Sequence, residues 1–261
     1  NHDIDKVIAL ARIPEVIIAT FGDMTRVPGS TSSLLAEQAN GARVEIVYSP
    51  LDALRLAQEN PESQVVFVGV GFETTTPLVA RAVLRAKKKG LANFSVYGAH
   101  KNMPGALEAI VNDPELKVDA LILPGHVSTI IGVEPYRFLA EKYGIPGVIT
   151  GFEPNDVLQG IAMLTRQLHE GRADIEIAYA RGVMAEGNPV AIDAINEVFE
   201  TVPAVWRGIG EIEGSGYKIR DEYAEFDAMV RFNPPIEVTV EHKGCRCGDV
   251  LRGVLPPNEC P

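Results

Sequence analysis

The sequence of 261 residues holds three cysteines, and all of them lie from residue 245 onward. So small, odd and clustered a set argues against a disulfide framework and points to metal or redox chemistry in a reducing compartment. The pointer is weak: Cys245-x-Cys247 is tighter than the usual zinc spacing, and three thiolates do not complete a four-ligand site. Positive charge is scarce as well, with 24 Lys and Arg against 35 Asp and Glu and a formal net charge of −11. That balance leaves no basic footprint for nucleic acid or an anionic membrane. No apolar run approaches the roughly 20 residues of a membrane span, and the residues after Asn1 do not read as a signal peptide. A cytoplasmic protein with neither nucleic-acid nor membrane partners is the expectation. Catalytic signatures are also missing: no nucleophile elbow, no Gly-x-Gly-x-x-Gly after a first strand, no Gly-Lys-Ser/Thr phosphate loop and no His-x-x-x-His pair. Their absence argues against a standard hydrolase or dehydrogenase.

What is present is a pair of echoing segments, Val65-Val66-Phe67-Val68-Gly69-Val70-Gly71-Phe72-Glu73-Thr74-Thr75-Thr76-Pro77 and Gly147-Val148-Ile149-Thr150-Gly151-Phe152-Glu153-Pro154. Between them lies Ala120-Leu121-Ile122-Leu123-Pro124-Gly125-His126-Val127, on the same plan. Apolar runs of this length bounded by glycine read as buried parallel strands. Polar residues just past such strands face the carboxyl edge of the sheet, where open α/β folds bind ligands. Glu73, His126 and Glu153 are therefore expected at one rim.

Helical and extended patterns alternate along most of the chain, which predicts parallel sheets with right-handed crossovers. Strands at 16–20 and 44–48 with helices at 34–39 and 50–59 form a first unit, residues 1–60. With two strands visible, it reads as an incomplete αβα domain. Strands near 65–70, 94–98, 119–123 and 147–150 alternate with helices near 76–89, 104–112, 134–143 and 154–170. This predicts a second αβα sandwich of four strands over 61–171. Residues 172–261 form a C-terminal region with a strand at 175–179, a helix near 190–199 and a break at Arg231-Phe232-Asn233-Pro234-Pro235, leading into the cysteine-bearing segment.

Two carboxylates with an imidazole fit acid–base machinery or hard-metal ligands, and the residues leave both open. The plain alternative is architecture: glycine permits the turn, and glutamate ahead of a helix serves its dipole. Thr74-Thr75-Thr76 at a helix start offers hydroxyls and N–H groups to an anion, or a simple N-cap. His100, closing the strand from Phe94, and Asp23 with Arg26 beyond Thr20 are further rim candidates; packing and an internal ion pair are their plain readings. His2, His169 and His242 have no such placement and read as surface or structural residues. Trp206 in Trp206-Arg207-Gly208 is an interaction anchor or packing.

Taken together these motifs resemble HypD, the family of [NiFe] hydrogenase maturation factors. Thr20-Phe21-Gly22-Asp23-Met24-x-Arg26-Val27-Pro28-Gly29-Ser30, Val47-Tyr48-Ser49-Pro50-x-Asp52-Ala53-Leu54 and Gly71-Phe72-Glu73-Thr74-Thr75-Thr76-Pro77 carry the resemblance. So do Pro124-Gly125-His126-Val127, Gly151-Phe152-Glu153-Pro154, Glu186-Gly187-Asn188-Pro189, Trp206-Arg207-Gly208, Tyr223-Ala224-x-Phe226-Asp227-Ala228 and Gly244-Cys245-x-Cys247-Gly248, in order along the chain. The resemblance implies two related αβα domains plus a cluster-bearing region. It implies a scaffold, more than a turnover enzyme, on which the Fe(CN)2CO unit is assembled with a HypC-type chaperone and a HypE-type cyanide donor. Glu73, His126 and Glu153 would act at that site, with Thr74, Asp23 and His100 lining it. The family's iron-handling segments, Cys-Gly-Thr-His and Gly-Pro-Gly-Cys-Pro-Val-Cys, do not occur in these 261 residues and are expected before Asn1. A [4Fe–4S] cluster is expected near the C-terminus of the full-length family, with Cys260 the metal-ligand candidate here. Residues 1–261 alone are expected to hold neither the cluster nor the iron unit. The alternative is an α/β enzyme with hydrolase-like or nucleotide-dependent turnover at the same rim.

Overall fold

The computed structural model describes residues 2–236 and 244–260, so His242 lies outside the described residues. The chain opens with α1 (His2–Ala11), β1 (Val16–Thr20), α2 (Leu34–Ala39), β2 (Arg43–Ile46) and α3 (Pro50–Glu59). Then follow β3 (Gln64–Gly71), α4 (Thr76–Lys89) and β4 (Phe94–His100). Local chemistry sets the helix ends. Ser33 and Ser49 cap α2 and α3 by accepting from Ala36 N (3.2 Å) and Leu51 N (3.1 Å). Gly90 closes α4 in the left-handed conformation, φ 63°, behind Lys87, Lys88 and Lys89, whose charges suit the helix's negative end.

β1 to β4 form one parallel sheet in the order β2-β1-β3-β4. One face packs on α3, α4 and a helix from late in the chain, through Leu54, Val83, Ile195 and Val198. The other packs on α1 and α2 through Val7, Leu10 and Leu34. Two-sided burial explains the unbroken apolar runs of β1 and β3.

After α5 (Met103–Val111) come β5 (Leu121–Pro124), α6 (Gly125–Ile131), α7 (Arg137–Glu141), β6 (Gly147–Thr150), α8 (Pro154–Glu170) and β7 (Ile175–Ile177). They make a second parallel sheet, β5-β6-β7. The mixed α/β class with parallel sheets is as the alternation predicts. The grouping of strands is not. β3 and β4, expected beside β5 and β6, pair instead with β1; the second sheet takes its third strand from beyond residue 171. Fully buried β1 has two edges to satisfy, and β2 can satisfy only one of them.

The chain then returns to the first sheet. α9 (Pro189–Val198) packs on α4, and β8 (Phe199–Trp206) turns back into β9 (Gly210–Ile219) as an antiparallel hairpin. That hairpin reaches the end of β4 through a bridge between Lys101 and Gly216. α10 (Ala228–Phe232) covers the face that holds α1, and α11 (Cys247–Leu251) carries the cysteine segment. Among the described residues no helix is long and apolar enough to cross a membrane.

Candidate functional site

Beyond β3 the chain makes a tight turn at Gly71, φ 123°, where a Cβ would stand 2.4 Å from Thr75 Oγ1. The Phe72 carbonyl gathers the turn. It accepts from Thr75 N (3.0 Å) and Thr76 N (3.2 Å), and from the hydroxyls Thr75 Oγ1 (3.2 Å) and Thr76 Oγ1 (2.8 Å). Thr75 Oγ1 also donates to Val70 O (3.0 Å). The hydroxyls expected to cradle an anion therefore turn back onto the main chain, and Thr74 is half-buried in the same turn.

Glu73 is fully buried. Its Oε1 accepts from Met103 N at 2.9 Å, so the carboxylate serves the first turn of α5 and not that of α4, the helix it precedes. Oε2 is buried with no protein partner. Burial raises the Glu73 pKa above its ordinary value, opposed by the N–H groups of Met103 and of Glu73 itself. Two phenols feel its charge: Tyr136, ahead of α7, and Tyr217, on β9. Both are pushed upward, by burial first and by Glu73 in addition. Tyr136 Oη also meets Ser128 Oγ at 3.4 Å, and Ser128 donates to Pro124 O at 2.9 Å. The carboxyl of Glu73 thus sits where the first sheet, the second sheet's helices and the hairpin converge.

His100 does not reach the rim expected for it. It faces inward, 1% exposed, with its ring edge-on to Phe199 at 5.9 Å and no hydrogen-bond partner for either nitrogen. Burial holds its pKa down to about 3, so the imidazole is neutral at any physiological pH. Asp23 lies exposed in a short 3₁₀ turn beyond β1, accepting from Met24 N (3.0 Å); among the described residues it makes no ion pair with Arg26.

His126 and Glu153 belong to the other sheet, so the single rim expected for three residues is divided between two. His126 opens α6 and is exposed, its ring edge-on to Phe152 at 4.8 Å and to Tyr179 at 6.0 Å. Glu153, also exposed, pairs with Arg181 Nη2 at 3.2 Å. Arg181 donates both Nη1 and Nη2 to Asp156 at 2.6 Å and lies over the Tyr179 ring at 4.5 Å. Those two bonds hold the Asp156 carboxyl below its usual range. Sequence reasoning missed Asp156, Tyr179 and Arg181, since nothing local links residue 181 to the α8 terminus. It also missed Asn102, for which a signal exists: Asn102-Met103-Pro104 is an N-cap followed by proline in the first turn.

The hairpin joins these elements to the cysteines. Trp206 Nε1 donates to Ser215 Oγ (2.8 Å), and its ring meets Phe72 at 6.1 Å. At the hairpin's turn, Gly208 touches the backbone of Gly248 so closely that neither position has room for a Cβ. The Cys245 thiol is pulled down by the N–H and thiol of Cys247 and by Arg207, while Cys247 is pushed up by Cys245. A cubane cluster needs four thiolates converging on one point. The chain has three cysteines, and among the described residues no three His, Cys, Asp or Glu side chains converge on a metal position. These residues alone do not fit a [4Fe–4S] cluster; Cys260 is half-buried, and its charge adds to the upward push on Cys247.

The sequence matches the HypD family, described as "Hydrogenase formation hypA family", over residues 1–261. It is 48% identical to the hydrogenase maturation factor HypD of Rhodobacter capsulatus, over 98% of this chain and 70% of the relative. Identity to the hydrogenase expression/formation protein HupD of Azotobacter chroococcum is 47%, over 98% of this chain and 70% of the relative. For HypD of Escherichia coli K12 it is 44%, over 99% and 69%. Matching end to end at these identities, the chain belongs to the HypD family of hydrogenase maturation factors.

Proposed function

We propose that this maturation factor provides the protein pocket in which the Fe(CN)2CO unit of [NiFe] hydrogenase is assembled, with a HypC-type chaperone and a HypE-type cyanide donor as partners. The iron unit is cargo. The observation that carries the reading is Glu73, a fully buried carboxyl with one oxygen left bare at the junction of both sheets and the hairpin. Leaving a polar atom unpaired in a core costs on the order of 1–3 kcal/mol, which a fold tolerates where function requires it. A carboxyl with a raised pKa holds its proton more readily than a surface acid. It can donate to an anionic cyanide or take up a proton as ligands are delivered. Tyr136 and Tyr217, kept protonated by their surroundings, add donors of the kind bound cyanide nitrogens accept. His126, Phe152 and Glu153 lie exposed on the second rim, where a delivering partner would approach.

The test is infrared spectroscopy of the full-length protein, purified anaerobically with its chaperone. Glu73→Gln should lose the cyanide and carbonyl stretching bands while keeping the wild-type far-ultraviolet circular dichroism. Bands of wild-type intensity in that variant would sink the proposal.

A further inference from the structure

Resting on that reading of the Glu73 site, we propose that Asn102 is its positioning residue, clamping the hairpin to α5 so that the Met103 N–H is held against the Glu73 carboxyl. Asn102 is 6% exposed and makes three polar contacts in two directions. Its own N–H donates to Ser215 O at 2.9 Å, and Nδ2 donates to Gly214 O, both on the hairpin. Oδ1 accepts from Gly105 N at 3.0 Å, inside the first turn of α5. The residue is thereby fixed at φ −110° and ψ 146°. Its ψ sets the plane of the Asn102–Met103 peptide and hence the direction of the Met103 N–H. Pro104 has no N–H, and the Gly105 N–H is taken by Asn102 itself, so Met103 is the first-turn donor left to meet Glu73.

The fit at the clamp is close. A Cβ on Gly105 would stand 3.0 Å from both Asn102 Oδ1 and Gly214 O. On the hairpin side, Ser215 is fully buried, accepts from Trp206 Nε1 and donates to Ile212 O at 2.8 Å, so the strand that Asn102 grips is itself held. From the other side, Lys101 N donates to Gly71 O at 2.9 Å, tying the segment to the last residue of β3, two positions before Glu73. The donors that act on the Glu73 carboxyl are the N–H groups of Met103 and of Glu73 itself, and its charge in turn pushes up Tyr136 of the second unit and Tyr217 of the hairpin.

A plain helix cap makes a different prediction from a clamp. Serine caps helices about as well as asparagine, but its hydroxyl cannot at once accept from Gly105 and span to the Gly214 carbonyl as the asparagine amide does. Asn102→Ser therefore removes the side-chain arm of the clamp and keeps the cap, and Asn102→Ala removes both side-chain contributions, while the main-chain bond to Ser215 O stays in each. The readout is the protonated-carboxyl band of Glu73 in infrared difference spectra of the full-length protein, titrated against pH and assigned by its absence in Glu73→Gln. Freed from its donor, the carboxyl should titrate higher by about 1 pH unit in Asn102→Ser, with the melting temperature close to wild type. Asn102→Ala should show the same shift and a lower melting temperature. A Glu73 titration in Asn102→Ser identical to wild type would overturn the proposal, whatever the melting temperatures. The titration is read without the iron unit, so failure of the assembly reading leaves this test intact.

Discussion

His100 carries its imidazole into the first core, edge-on to Phe199 and with neither nitrogen bonded. In the unfolded chain that ring takes a proton near its ordinary pKa of 6.5; in the fold it does so only near 3. Between those values acid favours the unfolded state, so the stability this residue preserves above pH 6.5 is lost as pH falls. From pH 7 to pH 5 the loss is about 2 kcal/mol. His100→Leu should remove that slope. Urea unfolding at the two pH values should show a drop about 2 kcal/mol smaller in the variant, and equal drops would refute the account. Sequence placed His100 at a strand end correctly, but not the direction of its side chain. Strand periodicity puts residues 94, 96 and 100 on one face; α3 and α4 cover that face, and at its His100 end the returning segment adds Phe199. Glu73 was legible for the same local reason, as a carboxylate past a buried strand. Its partner Met103 was not, because a hydrogen bond across 30 residues leaves no local trace.

At the scale of elements, the strands and helices were legible wherever an apolar run met a glycine, a proline or a serine cap. Which strand lies beside which was not. The alternation over 65–150 reads the same whether it builds one sheet or closes one and opens another; the choice was made by β1 and β7, which lie outside it. The hairpin of β8 and β9 escaped the sequence reading because much of its burial comes from contacts with β4 and α5. Helix α8 shows how tightly the second sheet is covered. Its buried stripe runs through Asp156, Gly160, Leu164 and Gln167, and a Cβ on Gly160 would stand 2.3 Å from Thr150 Cγ2. Alanine is the better helix former by about 1 kcal/mol, yet here the intrinsic gain is opposed by a β-branched side chain fixed on β6. Gly160→Ala should lower stability by roughly 1–3 kcal/mol in chemical denaturation. Combining it with Thr150→Ser, which removes the obstructing methyl, should recover most of that loss. A Gly160→Ala variant as stable as wild type would show that the helix can lift from the sheet without cost.

For the whole molecule, the chain leaves the first sheet at His100, builds the second and comes back. The first core is consequently made of residues far apart in sequence: Phe67 and Val83 pack with Ala194, Ile195, Val198 and Phe199. The second core, around Leu123, Leu139 and Ile149, has a different membership. Boundaries at 60 and 171 would cut through both sheets, whereas cooperative units should follow the cores, because burying a shared apolar surface couples its contributors. Val198 is fully buried in the first core, and truncating it to alanine should cost roughly 1–3 kcal/mol. Native-state hydrogen exchange on Val198→Ala should then show protection falling together in β1, β3, β4 and α9. Peptides covering β5 and β6 should keep their wild-type exchange. If β5 and β6 lose protection equally, the two sheets unfold as one unit and the seam at Glu73 is rigid. If only α9 and the hairpin respond, the returning segment is an independent layer and the first sheet is stable without it. The shared core predicts the pattern between these extremes, because Val198 touches the first sheet's interior and not the second's.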